Sequence, residues 1–134
     1  MGLENGTAVA VVKHLHRLGI ADLAEWDVLA FIYRHGASLA SADRISLLLG
    51  YSKAAVGSAL DSLTAKGLVQ RSRKSGGLRL YRMAGAAPDE LQQRSLEELM
   101  KVAEAREGRL LLVNHLRHAR DTRDLREHGG LHLA

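Results

Sequence analysis

The sequence predicts a mainly α-helical fold carrying one small β-hairpin. Three features of its 134 residues lead there. Leu and Ala dominate the apolar residues, and only five are aromatic: Trp26, Phe31, Tyr33, Tyr51 and Tyr81. Small and unbranched side chains lose little rotamer freedom in a helix, so this composition favours helices. Runs with apolar residues three and four apart end at glycines, namely Gly19, Gly36, Gly50 and Gly67. One stretch breaks that rhythm and alternates apolar with polar residues on either side of Gly76-Gly77, the pattern of a hairpin.

Each element can be justified in turn. A first helix is expected from Thr7 to Leu18, with Val9, Val12, Leu15 and Leu18 on one face and Gly19 as its stop. A second runs from Asp22 to His35, where Leu23, Trp26, Leu29, Ala30 and Tyr33 follow helical spacing and Gly36 stands at the C-terminal cap. Ser38-Leu39-Ala40 reads as a short extended link. A third, short helix follows from Ser41 to Leu49, capped by the Ser41 hydroxyl and facing inward with Ile45, Leu48 and Leu49. Gly50 ends it and Tyr51 makes the turn. Ser52 caps a fourth helix, Lys53 to Lys66, with Val56, Ala59, Leu60 and Leu63 inside and Gly67 as its stop. Leu68–Ser72 and Leu78–Met83 form the hairpin around Lys74-Ser75-Gly76-Gly77. After a linker at Gly85–Ala87, Pro88 suits a first helical turn, and Asp89 and Glu90 suit its positive end. Helical spacing then continues to Arg126, with Gly108 as a candidate break and 128–134 as a frayed tail.

Composition narrows the chemistry. With no Cys there is no disulfide framework, no thiolate nucleophile and no Cys-ligated metal. No apolar run approaches the length of a membrane span, and the N-terminus has no basic leader, so a cytoplasmic location is expected. No glycine-rich phosphate loop follows a strand, and no Ser–His–Asp set or isolated carboxylate pair stands out, which argues against an enzyme. The net charge is +4, and its distribution is uneven. Between Ser62 and Pro88 there is no Asp or Glu, yet Lys66, Arg71, Arg73, Lys74, Arg79 and Arg82 all fall there. A concentrated patch of one sign is an electrostatic footprint for a polyanion, against the plainer reading of a solvated cationic surface.

Helix, extended link, helix, tight turn, helix and basic hairpin is the plan of a winged helix-turn-helix. Ile45-Ser46-Leu47-Leu48-Leu49-Gly50-Tyr51-Ser52 followed by Lys53–Val69 resembles the core of bacterial winged-helix regulators, with the multiple-antibiotic-resistance-repressor type closest in layout. The resemblance spans Asp22 to Met83. It implies a DNA-binding regulator, bacterial or archaeal and working at the nucleoid, with double-stranded DNA and a second copy of the chain as partners and no cofactor. It divides the chain into an N-terminal helix at 1–21, a winged domain at 22–84, C-terminal helices at 85–127 and the tail. The helix Lys53–Lys66 would enter the major groove N-terminus first, presenting Ser52, Lys53, Gly57, Ser58 and Asp61. None of these is an Arg, Asn or Gln able to grip a base edge twice, so direct readout is expected to be modest. The wing offers Arg71, Arg73, Lys74 and Arg79. The family commonly carries Asp-x-Arg there, whereas Arg71-Ser72-Arg73 lacks the acid. In the same family the terminal helices form the dimer interface. That role carries to Val9, Val12, Leu15, Leu91, Leu96, Leu99, Leu110, Val113 and Leu116, against the plainer reading that these helices pack on their own chain.

Other readings are weaker. His115 and His118 lie three apart on the last helix, with Asp121, Asp124, His128 and His132 near in sequence, and could bind a metal in a metal-responsive repressor. Surface or interface histidines are the simpler and better reading. Trp26, Phe31 and Tyr33 could line a pocket for a small-molecule effector, although such aromatics usually serve as core. The rival class is a winged-helix module that binds protein and not DNA.

Overall fold

The computed structural model describes residues 2–35, 40–72, 79–84 and 90–118. Gly36, Ser38-Leu39, the hairpin tip with Arg73 and Lys74, the linker with Pro88 and Asp89, and everything from 119 onward lie outside the described residues. In chain order the elements are α1 (Gly2–Leu18), α2 (Leu23–Arg34), β1 (Ala40–Ser41), α3 (Ala42–Leu49), α4 (Lys53–Ala65), β2 (Val69–Arg71), β3 (Leu80–Met83) and α5 (Glu90–Glu104). A further helix, α6, spans 106–118. They divide between a central unit, Ala24–Gln93, and a terminal unit made of Met1–Leu23 and Arg94–Ala134. Among the described residues no helix is long and apolar enough to cross a membrane.

In the central unit, local signals end the helices where the sequence places them. The Ser41 hydroxyl accepts from the Arg44 N–H at 3.2 Å, and the Ser52 hydroxyl from the Ala55 N–H at 3.1 Å. Each satisfies an orphan donor of a first turn. Gly50 takes φ +79°, which lets its N–H reach the Ser46 carbonyl at 2.9 Å and close α3. At the end of α4 the Gly67 N–H bonds Thr64 O and the Leu68 N–H bonds Leu63 O, a Schellman closure. Strands β2 and β3 pair antiparallel, with Val69 opposite Met83, Gln70 opposite Arg82 and Arg71 opposite Tyr81. The extended link does more than connect, because β1 adds to β3 to give a sheet of order β1-β3-β2.

Burial in this unit departs from the expected faces at two helices. Helix α2 buries Glu25, Trp26, Val28, Leu29, Ala30 and Ile32, so it is covered on nearly all sides, whereas Tyr33 is exposed. A helix apolar most of the way round belongs inside, and the single stripe read from the sequence was too narrow. On α3 only Ile45 is fully buried; Leu48 is 55% exposed and Leu47 83%. An eight-residue helix can press only one narrow row inward, and here that row is Ile45 with half-buried Leu49. Helix α4 buries Val56, Ala59, Leu60 and Leu63 as expected.

The terminal unit corrects two further expectations. The stripe Val9–Val12–Leu15–Leu18 is not one face. Steps of three residues drift by about 60° each on a helix of 3.6 residues per turn, so the three steps from Val9 to Leu18 cross to the far side. The buried row is Val11, Leu15 and Leu18, while Val9 is 67% and Val12 41% exposed. The C-terminal helical run breaks at Ala105, between α5 and α6, not at Gly108. Gly108 lies inside α6, where a β-carbon would overlap the Val102 carbonyl oxygen. Its missing side chain leaves room for the Val102 carbonyl to approach across the break at Ala105. Leu96, Leu99, Met100, Ala103, Leu112 and Leu116 are buried here. Helices α1 and α5 meet where His14 Nδ1 lies 3.1 Å from the buried Ser95 hydroxyl. Burial holds the His14 imidazole below its ordinary value; Arg17 and Lys13 reinforce this and Glu98 opposes it.

Candidate nucleic-acid interface

Helix α4 is hung from three points before its first residue. Gly50 turns the chain, and the Ser46 hydroxyl donates to the Tyr51 carbonyl at 2.6 Å. The Tyr51 phenol donates to Asp27 Oδ2 on α2 at 2.6 Å. The turn that sets the angle between α3 and α4 is therefore fixed by side chains from both neighbouring helices. With one side of α4 buried, Ser52, Lys53, Ala54, Ser58 and Asp61 are exposed. Gly57 is half-buried, but a β-carbon there would meet nothing within 4 Å. The residues read from the sequence thus share one open face of small and polar groups. That face begins at a helix N-terminus, where free N–H groups and the macrodipole favour anions.

The hairpin brings its own cations. Side chains alternate along a strand, so Arg71 shares its face with buried Val69 and turns toward α4. There its guanidinium lies 3.7 Å from Asp61 Oδ1. On the opposite face the Arg82 Nε donates to Gln70 Oε1 across the strands at 3.3 Å. Ser72 closes the paired segment, its N–H donating to Leu80 O at 2.8 Å and its hydroxyl accepting from Leu80 N–H at 3.0 Å. Arg79 is exposed just before β3. Arg73 and Lys74 lie outside the described residues. Lys53 has a carboxylate of its own, Asp43 on α3, at 3.5 Å.

Lys66 has to be removed from the basic patch. Its ammonium lies 2.7 Å from Oε1 of Glu25, a carboxylate buried on α2 that also accepts from the Ser62 hydroxyl. A buried charge requires a partner, and Lys66 provides it. The Lys66 carbonyl in turn accepts from Gln92 Nε2 at 3.3 Å, which ties the end of α4 to the start of α5. This pairing has no signature in the sequence, since the two residues are 41 apart.

The remaining candidates are scattered. Of the residues read as a dimer interface, Leu15, Leu96, Leu99 and Leu116 are buried within the chain, and Val113 is half-buried. Val9, Val12, Leu91 and Leu110 are exposed. Ala8, Val9 and Val12 line an open depression on α1 together with Lys13, His16 and Arg17. Trp26 is buried, Phe31 packs its ring 4.5 Å from that of His35, and Tyr33 is exposed. Among the described residues no group of three metal-ligating side chains includes His115 or His118.

Residues 22–79 match the MarR family. No curated protein matches the chain. Among solved structures, reduced HlyU from Vibrio cholerae is 20% identical, covers 76% of this chain and 94% of its own, and gives a TM-score of 0.47. The homodimeric winged helix-turn-helix DNA-binding domain of a possible ArsR-family transcriptional regulator from Mycobacterium bovis is 22% identical. It covers 72% of this chain and 83% of its own, with a TM-score of 0.50. With two capped helices at a pinned turn and a basic hairpin beside them, the central unit has a winged helix-turn-helix fold, and residues 22–79 are similar to the MarR family.

Proposed function

We propose that the protein binds duplex DNA as a homodimer, with α4 in the major groove and the β2–β3 hairpin on the backbone or in the adjacent minor groove. The observation that carries this is the open face of α4, where Ser52, Lys53, Gly57, Ser58 and Asp61 leave room for a close approach. Arg71 and Arg79 stand beside it from the hairpin, and Arg73 and Lys74 fall between them in sequence. Because α4 offers only single contacts to base edges, much of the specificity falls to DNA shape and half-site spacing.

The dimer is supported by apolar side chains that the chain does not cover. Val9 and Val12 on α1 and Leu110 on α6 are exposed, and a two-fold partner would bury them. The Mycobacterium bovis domain of the same fold is homodimeric. Two-fold symmetry also matches a palindromic operator, whose half-sites lie about one helical turn apart.

The test is affinity for mixed-sequence duplex as a function of salt. A linear log–log loss whose slope corresponds to about five or more phosphates is expected. No binding at low salt would overturn the reading in favour of a protein-interaction module with an acidic partner.

A further inference from the structure

Lys53 and Arg71, two of the cations on the proposed DNA face, are each held by a carboxylate of the same chain. Lys53 Nζ lies 3.5 Å from Asp43 Oδ1, which reaches it from α3. The Arg71 guanidinium lies 3.7 Å from Asp61 Oδ1, which reaches it from α4. Both acids are well exposed. Arg79, on the same hairpin, has no ion-pair partner among the described residues.

Exposed pairs of this kind add little to folding, because water and salt screen them and two side chains must be held still. Their position gives them another effect. A phosphate that recruits Arg71 must take it from Asp61, and the displaced carboxylate then stays close to the DNA backbone. That penalty falls on every sequence alike. It is relieved only where the carboxylate finds a donor, and in the major groove that donor is the exocyclic amino group of a cytosine or an adenine. Asp61 lies on the i, i+4 row of Lys53 and Gly57, on the open side of α4, where such a contact can form.

We propose that Asp61, and Asp43 with it, are specificity-determining residues: they hold Arg71 and Lys53 in pairs that sequence-independent binding must break, and so lower affinity for non-cognate DNA. The proposal rests on the DNA-binding reading and goes beyond it, because it assigns to two acids a function in a cationic interface.

The test is a double-mutant cycle on mixed-sequence duplex, which needs no knowledge of the operator. Asp61→Asn is expected to tighten binding about two- to fivefold, the range set by the strength of an exposed ion pair. The gain shrinks as salt rises. Arg71→Gln should cost more affinity in the Asp61→Asn background than in the parent, because only there is Arg71 free for phosphate. Arg79→Gln should cost the same in both, which separates release of a paired cation from a general change in charge. Asp43→Asn with Lys53→Gln repeats the cycle at the other pair. Equal losses for Arg71→Gln in the two backgrounds, or no tightening in Asp61→Asn, would overturn the proposal while leaving DNA binding intact. A parent that binds no duplex at all would overturn both.

Discussion

Helices α1 and α4 each bury one face and leave the other open, and the two open faces differ in chemistry. That of α4 carries Ser52, Lys53, Gly57, Ser58 and Asp61, so removing it from water against apolar protein would strand polar groups. That of α1 carries Val9 and Val12 between Ala8 and a rim of Lys13, His16 and Arg17. Apolar side chains with a charged border suit a protein partner, whereas small polar ones at a helix N-terminus suit a phosphate backbone. The contrast shows that exposure alone says little: what an open helix face can accept is set by whether its groups keep a partner when water leaves.

The comparison can be broken most decisively on α1. Val12→Asp should weaken self-association about 100-fold or more, the size expected when an uncompensated charge enters an apolar interface. Sedimentation of the variant and the parent measures this, and circular dichroism should show the helices intact, since Val12 is 41% exposed within the chain. An unchanged dimer would mean that some other surface joins the copies. The next effect is on α4. Gly57→Leu adds a side chain whose β-carbon would meet nothing within 4 Å, so the fold should hold and gain up to about 1 kcal/mol of helix propensity. Duplex affinity should nonetheless fall about tenfold or more, because the added bulk stands in the groove. A variant that binds like the parent would show that this face does not meet DNA.

The smallest effect concerns pH and the terminal unit. The folded pKa of His14 lies below its ordinary value of 6.5, so the unfolded chain takes up that proton first as pH falls. Stability from this group is complete above 6.5 and declines as the pH drops below it. Melting curves on either side of that value should show the parent losing more stability toward acid than His14→Gln. An identical loss in both would place the acid sensitivity elsewhere.

How much of this was legible in the sequence depended on how local the signal was. The cap at Ser41, the stop at Gly50, the cap at Ser52 and the closure at Gly67 each act over three to five residues, and the backbone follows them. The hairpin was equally plain in the alternation around its glycines. Long-range pairing was not. The short β1 strand, the Tyr51–Asp27 hydrogen bond and the Glu25–Lys66 ion pair join residues between 24 and 41 positions apart, and no spacing rule announces them. Helix faces fell between these cases. On α4 the inner face was clear because its apolar residues keep to the three-and-four rule, whereas on α1 three-residue steps mixed two faces. For the interface itself, the sequence located the cations but not their partners. Lys66 was thus counted with the patch although it neutralises a buried acid.

Ser41 belongs to two structures at once. Its backbone is paired opposite Leu80 in the sheet, while its hydroxyl caps α3 through the Arg44 N–H. Releasing the strand also releases the cap, so the sheet and the first turn of the helix-turn-helix open as one cooperative unit. Their amides should therefore exchange with solvent in step.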